Sequence, residues 1–86
     1  MPQVVLHRRA ARYFERLDER LKAQLRAKLE ELARDPRALP GVIPMRGEWV
    51  GYYRLRHGDL RVIYTLDPTH DRIVIAHIRP RGDAYK

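Results

Sequence analysis

Three arginines, Arg54, Arg56 and Arg61, flank a Gly58-Asp59 step, and their spacing is where chemistry first becomes legible in this chain. Gly-Asp has the composition of a two-residue hairpin turn. With that turn, His57 faces Leu60, Arg56 faces Arg61, Leu55 faces Val62, Arg54 faces Ile63 and Tyr53 faces Tyr64. Directly opposed residues share one face of a sheet. Tyr53, Leu55, Val62 and Tyr64 therefore make an apolar side, and Arg54, Arg56 and Arg61 gather on the other. The guanidinium group is a planar, permanent cation whose fork fits phosphate or carboxylate oxygens. Like charges opposed across strands repel, so the cluster is easier to understand with an anion that neutralises it; the alternative is a solvated sheet face with the arginines fanned out into water. A three-residue turn would swap the register and scatter the set into water.

The elements that must hold this hairpin follow from periodicity. Val4-Val5-Leu6 reads as a short first strand. Ala10, Phe14, Leu17, Leu21, Leu25, Leu29 and Leu32 then recur at steps of three and four, one apolar stripe on a helical surface. Asp18 stands where an N-cap divides that stripe into two helices, Arg8–Leu17 and Glu19–Arg34. The Asp35-Pro36 step stops the second helix, because the proline ring drives its predecessor out of the α region. Arg37–Gly47, with Pro40, Gly41 and Pro44, reads as a loop. The period then becomes two: Tyr52–Arg56, Leu60–Leu66 and Arg72–Ile78 read as strands, joined by turns too short for anything but antiparallel neighbours. The expectation is an α+β fold, an N-terminal edge strand and helical hairpin packed on one face of a small antiparallel sheet.

Composition bounds what such a chain does. Eighty-six residues set the expectation of one domain with a modest core. There is no cysteine, which excludes a disulfide framework and any thiolate nucleophile or ligand. The longest apolar run, Ile73–Ala76, is far too short to span a bilayer, and Met1-Pro2-Gln3 lacks the pattern of a secretory signal. No membrane contact and a cytoplasmic location are expected. The formal net charge of +7 favours nucleic acid or an acidic protein as partner. Fifteen of the eighteen basic residues are arginine, the lysines being Lys22, Lys28 and Lys86. Genome composition or heat adaptation accounts equally well for that total, but not for its placement on the hairpin. The spacing of His70 and His77 with Asp67 and Asp71 matches no metal motif, so neither metal nor cofactor is assigned. Trp49, Tyr13 and Phe14 read as core or rim aromatics.

The run Gly51-Tyr52-Tyr53-Arg54-Leu55-Arg56-His57-Gly58-Asp59-Leu60-Arg61-Val62-Ile63-Tyr64 resembles the "G-x-Y-R-L-R-x-G-D-Y-R-V-I-Y" pattern of the RelE/ParE toxins of bacterial toxin–antitoxin pairs. The tail His77-Ile78-Arg79-Pro80-Arg81-Gly82-Asp83-Ala84-Tyr85-Lys86 is similar to that family's closing "I-x-H-R-x-D-V-Y-R". Helices, loop and strand order agree, so the likeness spans essentially the whole chain. It implies a toxin neutralised by a cognate antitoxin. RelE-type members cut messenger RNA on the ribosome without metal, using the RNA's own 2′-hydroxyl as nucleophile. ParE-type members share the fold but act on DNA gyrase.

On the RelE-type reading, the resemblance puts Arg61 on the scissile phosphate and Arg54 at a position commonly held by lysine. Arg81, or Arg79 with a gap, matches the basic residue before the terminal motif, and Tyr85 the terminal tyrosine. Arg56, Arg79 and His57 are then expected along the RNA. Alternatively, Arg81 pairs with Asp83 and Tyr85 tucks onto the sheet. One departure stands out: the family's active-site lysines are arginine or tyrosine here, and arginine does not lose a proton near neutral pH. His57, His77, Glu48, Asp59, Tyr52 and Tyr85 remain as candidate bases, with no choice among them from sequence.

Overall fold

The computed structural model describes residues 2–80. Its first strand, β1 (Gln3–Leu6), leads into helices α1 (Arg8–Glu15) and α2 (Glu19–Arg34). Asp18 caps α2 as its side chain predicts, Oδ1 accepting the Leu21 amide at 2.8 Å. The first helix ends two residues earlier than the stripe suggests, because the chain must turn before that cap. Strand β2 (Val42–Pro44) then lies within the stretch read as loop, followed by β3 (Tyr52–His57), β4 (Leu60–Asp67) and β5 (Arg72–Pro80).

These strands form one sheet in the order β1-β5-β4-β3-β2. Strands β3, β4 and β5 are antiparallel neighbours, as expected, and the unexpected β2 adds antiparallel to β3. The correction is at the edge: β1 joins parallel to β5, with Val4 beside Ile73 and Leu6 beside Ile75, so the sheet is mixed. The His7 amide donates to the Ile75 carbonyl at 2.9 Å, tying the start of α1 to β5.

The helices cover one face. Ala10, Phe14, Leu25, Leu29 and Leu32 from the predicted stripe are buried, with Leu17 and Leu21 packed at its margin. They meet Leu55, Leu60, Val62, Tyr64, Ile73, Ile75 and Ile78 from the sheet. Each such aliphatic side chain contributes ~1.5–3 kcal/mol through burial. Arg26 on α2 lies over the Phe14 ring of α1, 5.6 Å from its centroid, and so closes the gap between the helices.

The segment after α2 is pinned to this core by two tyrosines. Tyr64 is fully buried and its hydroxyl donates to the Pro36 carbonyl. Burial, then the neighbouring Tyr53, pushes its pKa up, so the phenol stays protonated and a donor. Tyr53 stacks on Tyr64 at 5.5 Å, and its hydroxyl accepts from Arg37 Nε at 3.4 Å. Tyr64→Phe keeps the ring but deprives the Pro36 carbonyl of its donor. A stability loss of ~1 kcal/mol is expected, read as a lower urea midpoint at unchanged slope.

Candidate functional site

The open face of the sheet carries three cations abreast. Arg56 on β3 is the register partner of Arg61 on β4, and Arg61 is the partner of Arg79 on β5. The turn is the two-residue one: His57 pairs with Leu60 across Gly58-Asp59, where Gly58 has φ +58°. Opposed antiparallel residues have Cα atoms ~4.5–5.5 Å apart, so three guanidinium stems rise from one transverse row. At such spacing each neighbouring pair repels by ~0.5–1 kcal/mol in water. Among the described residues, none of the three has a carboxylate partner. Arg61 Nη1 donates to the Leu60 carbonyl at 3.3 Å, which leaves its charge uncompensated. Arg56 is exposed and the other two half-buried.

Two residues further from the turn lies a second row: Arg54, Ile63 and His77. Beyond it stand Tyr52 and its partner Thr65. A bulge between Ile63 and Tyr64 shifts the register against β5, Ile63 pairing with His77 and Tyr64 with Ile75.

Ile63 is 0% exposed although its parity puts it opposite the helices. The cover comes from Trp49. The chain between β2 and β3 makes a 3-10 turn, Gly47–Trp49, bracketed by Gly47 at φ +66° and Gly51 at φ +95°. These left-handed glycines fold the turn onto the sheet. The Trp49 ring lies 5.4 Å from Tyr52 on β3 and 5.5 Å from His77 on β5, edge-on to both. Strands two apart are ~10 Å from each other, so a ring midway between them sits above β4, over Ile63. Trp49 is thus a rim aromatic, half-exposed on the open face.

His77 is the imidazole of this face. Its Nδ1 is enclosed and has no hydrogen-bond partner among the described residues. Burial, then the nearby charges of Arg79, Arg9 and His7, pushes its pKa below the ordinary histidine value. The neutral ring is therefore the folded form. A histidine depressed on folding adds stability above its unfolded pKa of ~6.5 and loses it as pH falls further. The melting temperature should therefore drop between pH 7.5 and pH 5.5, and His77→Gln should flatten that drop. An equally steep fall in the variant would assign the effect elsewhere.

The structure thus gathers Arg54, Arg56, Arg61 and Arg79 on one face. His57 is not among them, since it shares the parity of Leu55 and Tyr53 on the helix side. Arg81 and Tyr85 lie outside the described residues. Asp59 occupies the turn, whereas Glu48 is on the Trp49 turn and exposed. Missed from sequence were Trp49 and Arg46, which line one groove with Arg54, and Arg9, which lines another with Tyr52 and His77. A further signal went unused: Arg8, Arg12 and Arg16 recur every four residues, and all are exposed along α1.

Residues 4–85 match the profile of the family described as the ParE toxin of type II toxin–antitoxin system, parDE. Toxin RelE of Mycobacterium tuberculosis (strain H37Rv) is 35% identical over 78 residues, covering 90% of this chain and 78% of that protein. The solved RelBE2 toxin–antitoxin complex of Mycobacterium tuberculosis contains a similar chain, with TM-score 0.79 and 29% identity over 94% of this chain and 100% of that one. The archaeal RelE–RelB complex of Pyrococcus horikoshii OT3 matches with TM-score 0.79 and 27% identity, over 96% and 98% of the two chains.

Proposed function

Because this chain belongs to the RelE/ParE family of toxins from type II toxin–antitoxin systems, we propose that it is an endoribonuclease that cuts messenger RNA on the ribosome and needs no metal. The observation that carries this reading is the uncompensated row Arg56–Arg61–Arg79. In the reaction, the 2′-hydroxyl attacks the adjacent phosphorus and the 5′-oxygen leaves, giving a 2′,3′-cyclic phosphate end. The pentacoordinate intermediate carries an extra negative charge on its non-bridging oxygens. Arg61, central in the row, holds those oxygens, and Arg56 and Arg79 hold the phosphates on either side. Preorganised donors of this kind are worth ~2.7–4 kcal/mol each.

A proton must leave the 2′-hydroxyl, and no arginine takes it. His77 stands one row away, held neutral. With Nδ1 enclosed, exchange with bound RNA goes through Nε2. Arg81 and Tyr85 keep the roles the resemblance implies: a further phosphate contact, and a ring that stacks a base or orients the sugar.

The relatives named RelE in the solved complexes are held by RelB. An acidic cognate antitoxin is accordingly proposed as partner here, silencing the toxin by covering the arginine row. Among the described residues no helix is long and apolar enough to cross a membrane; the cytoplasm, where ribosomes and messenger RNA are, is the proposed location.

A second reading has its own support. The matching profile is described as ParE, and the described open face carries no lysine. On that reading the row grips an acidic surface of DNA gyrase and cuts nothing. Primer extension on messages after induction separates the two. Cuts confined to translated frames are expected; intact messages with gyrase-linked double-strand breaks would establish the second reading instead.

A further inference from the structure

We infer that Trp49 is a stacking platform for a nucleobase of the bound RNA, set one step from the phosphate-holding row. This rests on the open face being an RNA site. A phosphate row alone grips a backbone and is indifferent to bases. Single-stranded RNA is also held by aromatic faces beside cations, and the turn supplies that pair. Trp49 lies over Ile63, fixed edge-on between Tyr52 and His77, so one side of the indole is used as cover. The ring is nevertheless half-exposed and borders a groove of about 560 Å³, lined also by Ile43, Pro44, Met45, Arg46, Glu48 and Arg54. The groove is apolar along β2, and Arg46 and Arg54 outnumber the one carboxylate, Glu48, among its polar lining, which suits a flat heterocycle linked to a phosphate. Val50, next in the chain, is 73% exposed.

The second consequence is discrimination. Purines overlap an indole more fully than pyrimidines do, so the platform favours a purine at the position it holds. Stacking on one aromatic residue changes affinity by roughly 5- to 150-fold per base.

Trp49 is the sole tryptophan, so its fluorescence reports on this ring alone. The probes are two short oligoribonucleotides with 2′-O-methyl groups that block cleavage, identical except that one carries adenine and the other an abasic sugar at a central position. Binding is followed by anisotropy of an end label. Quenching by the adenine probe, with weaker or no quenching by the abasic probe, is expected. Trp49→Leu keeps an apolar cover over Ile63 and, still folded at the assay temperature by its melting curve, should bind the adenine probe as weakly as the abasic one. Trp49→Phe should retain much of the preference. Equal affinity and no quenching with both probes would overturn the platform while leaving the phosphate row standing. Failure of the parent protein to bind either probe would overturn the platform and the RNA reading of the face together.

Discussion

Replacing Arg61 by alanine should reduce ribosome-programmed cleavage by roughly 100-fold or more while leaving the folded protein intact. The first half follows from its place at the centre of the row, where it meets the charge that develops only in the transition state. The second half follows from parity. Arg61 points away from the helices, and its hydrogen bond to the Leu60 carbonyl is a local one. A change of this kind moves stability by ~0.5 kcal/mol. Removing a cation between Arg56 and Arg79 pushes that change toward higher stability. Val62, the next residue, is the control. It is 0% exposed on the helix side, and Val62→Ala should cost ~2 kcal/mol through lost burial and a cavity. Its activity should fall only in proportion to the folded fraction. Melting curves beside cleavage rates for both variants check this. An Arg61→Ala protein that cleaves like the parent ends the assignment of Arg61, and one that melts as low as Val62→Ala ends the assignment of the face.

The second large effect is on salt dependence. Arg54, Arg56, Arg61 and Arg79 share the face, and each phosphate neutralised on a single strand contributes a slope of about −0.7 to log affinity against log salt. Four contacts give a slope near −2.8, so a tenfold rise in salt weakens binding by about 600-fold. Titrating a labelled, cleavage-resistant message segment at several salt concentrations measures it. Arg56→Ala and Arg79→Ala should each make the slope shallower by about 0.7. A flat dependence would mean that the row holds no phosphates.

The hairpin was legible in the sequence because two local signals agree. Gly58-Asp59 sets a two-residue turn, and Leu55 with Val62 shows which parity is apolar, so the whole β3–β4 register followed. Asp18 and the leucine stripe were legible for the same reason: caps and faces are short-range properties. What escaped depends on distant partners. Val42–Pro44 is three residues containing a proline, and it is a strand because Leu55, Arg54 and Tyr53 pair with it. Val4-Val5-Leu6 reads as a strand, but its parallel seat beside Ile73–Ile75 depends on where the helices return it. Arg79 joins Arg61 because β5 runs to Pro80, past the Ile78 at which alternation stops being readable. Trp49 reads only as a core or rim aromatic in the sequence, because a turn between two strands has no periodicity to assign it a face. Its position follows from the left-handed glycines on either side. Ile63 has the parity of the arginines and is nevertheless buried.

The central claim is that the arginine row stabilises attack by the RNA's own 2′-hydroxyl. The most direct measurement is the chemistry of the ends made by purified toxin on ribosomes programmed with a labelled message. A 2′,3′-cyclic phosphate on the upstream fragment is predicted, with cleavage abolished by one 2′-deoxy substitution at the cut and by Arg61→Ala. An uncut message, or cutting that persists through the 2′-deoxy position, would contradict it.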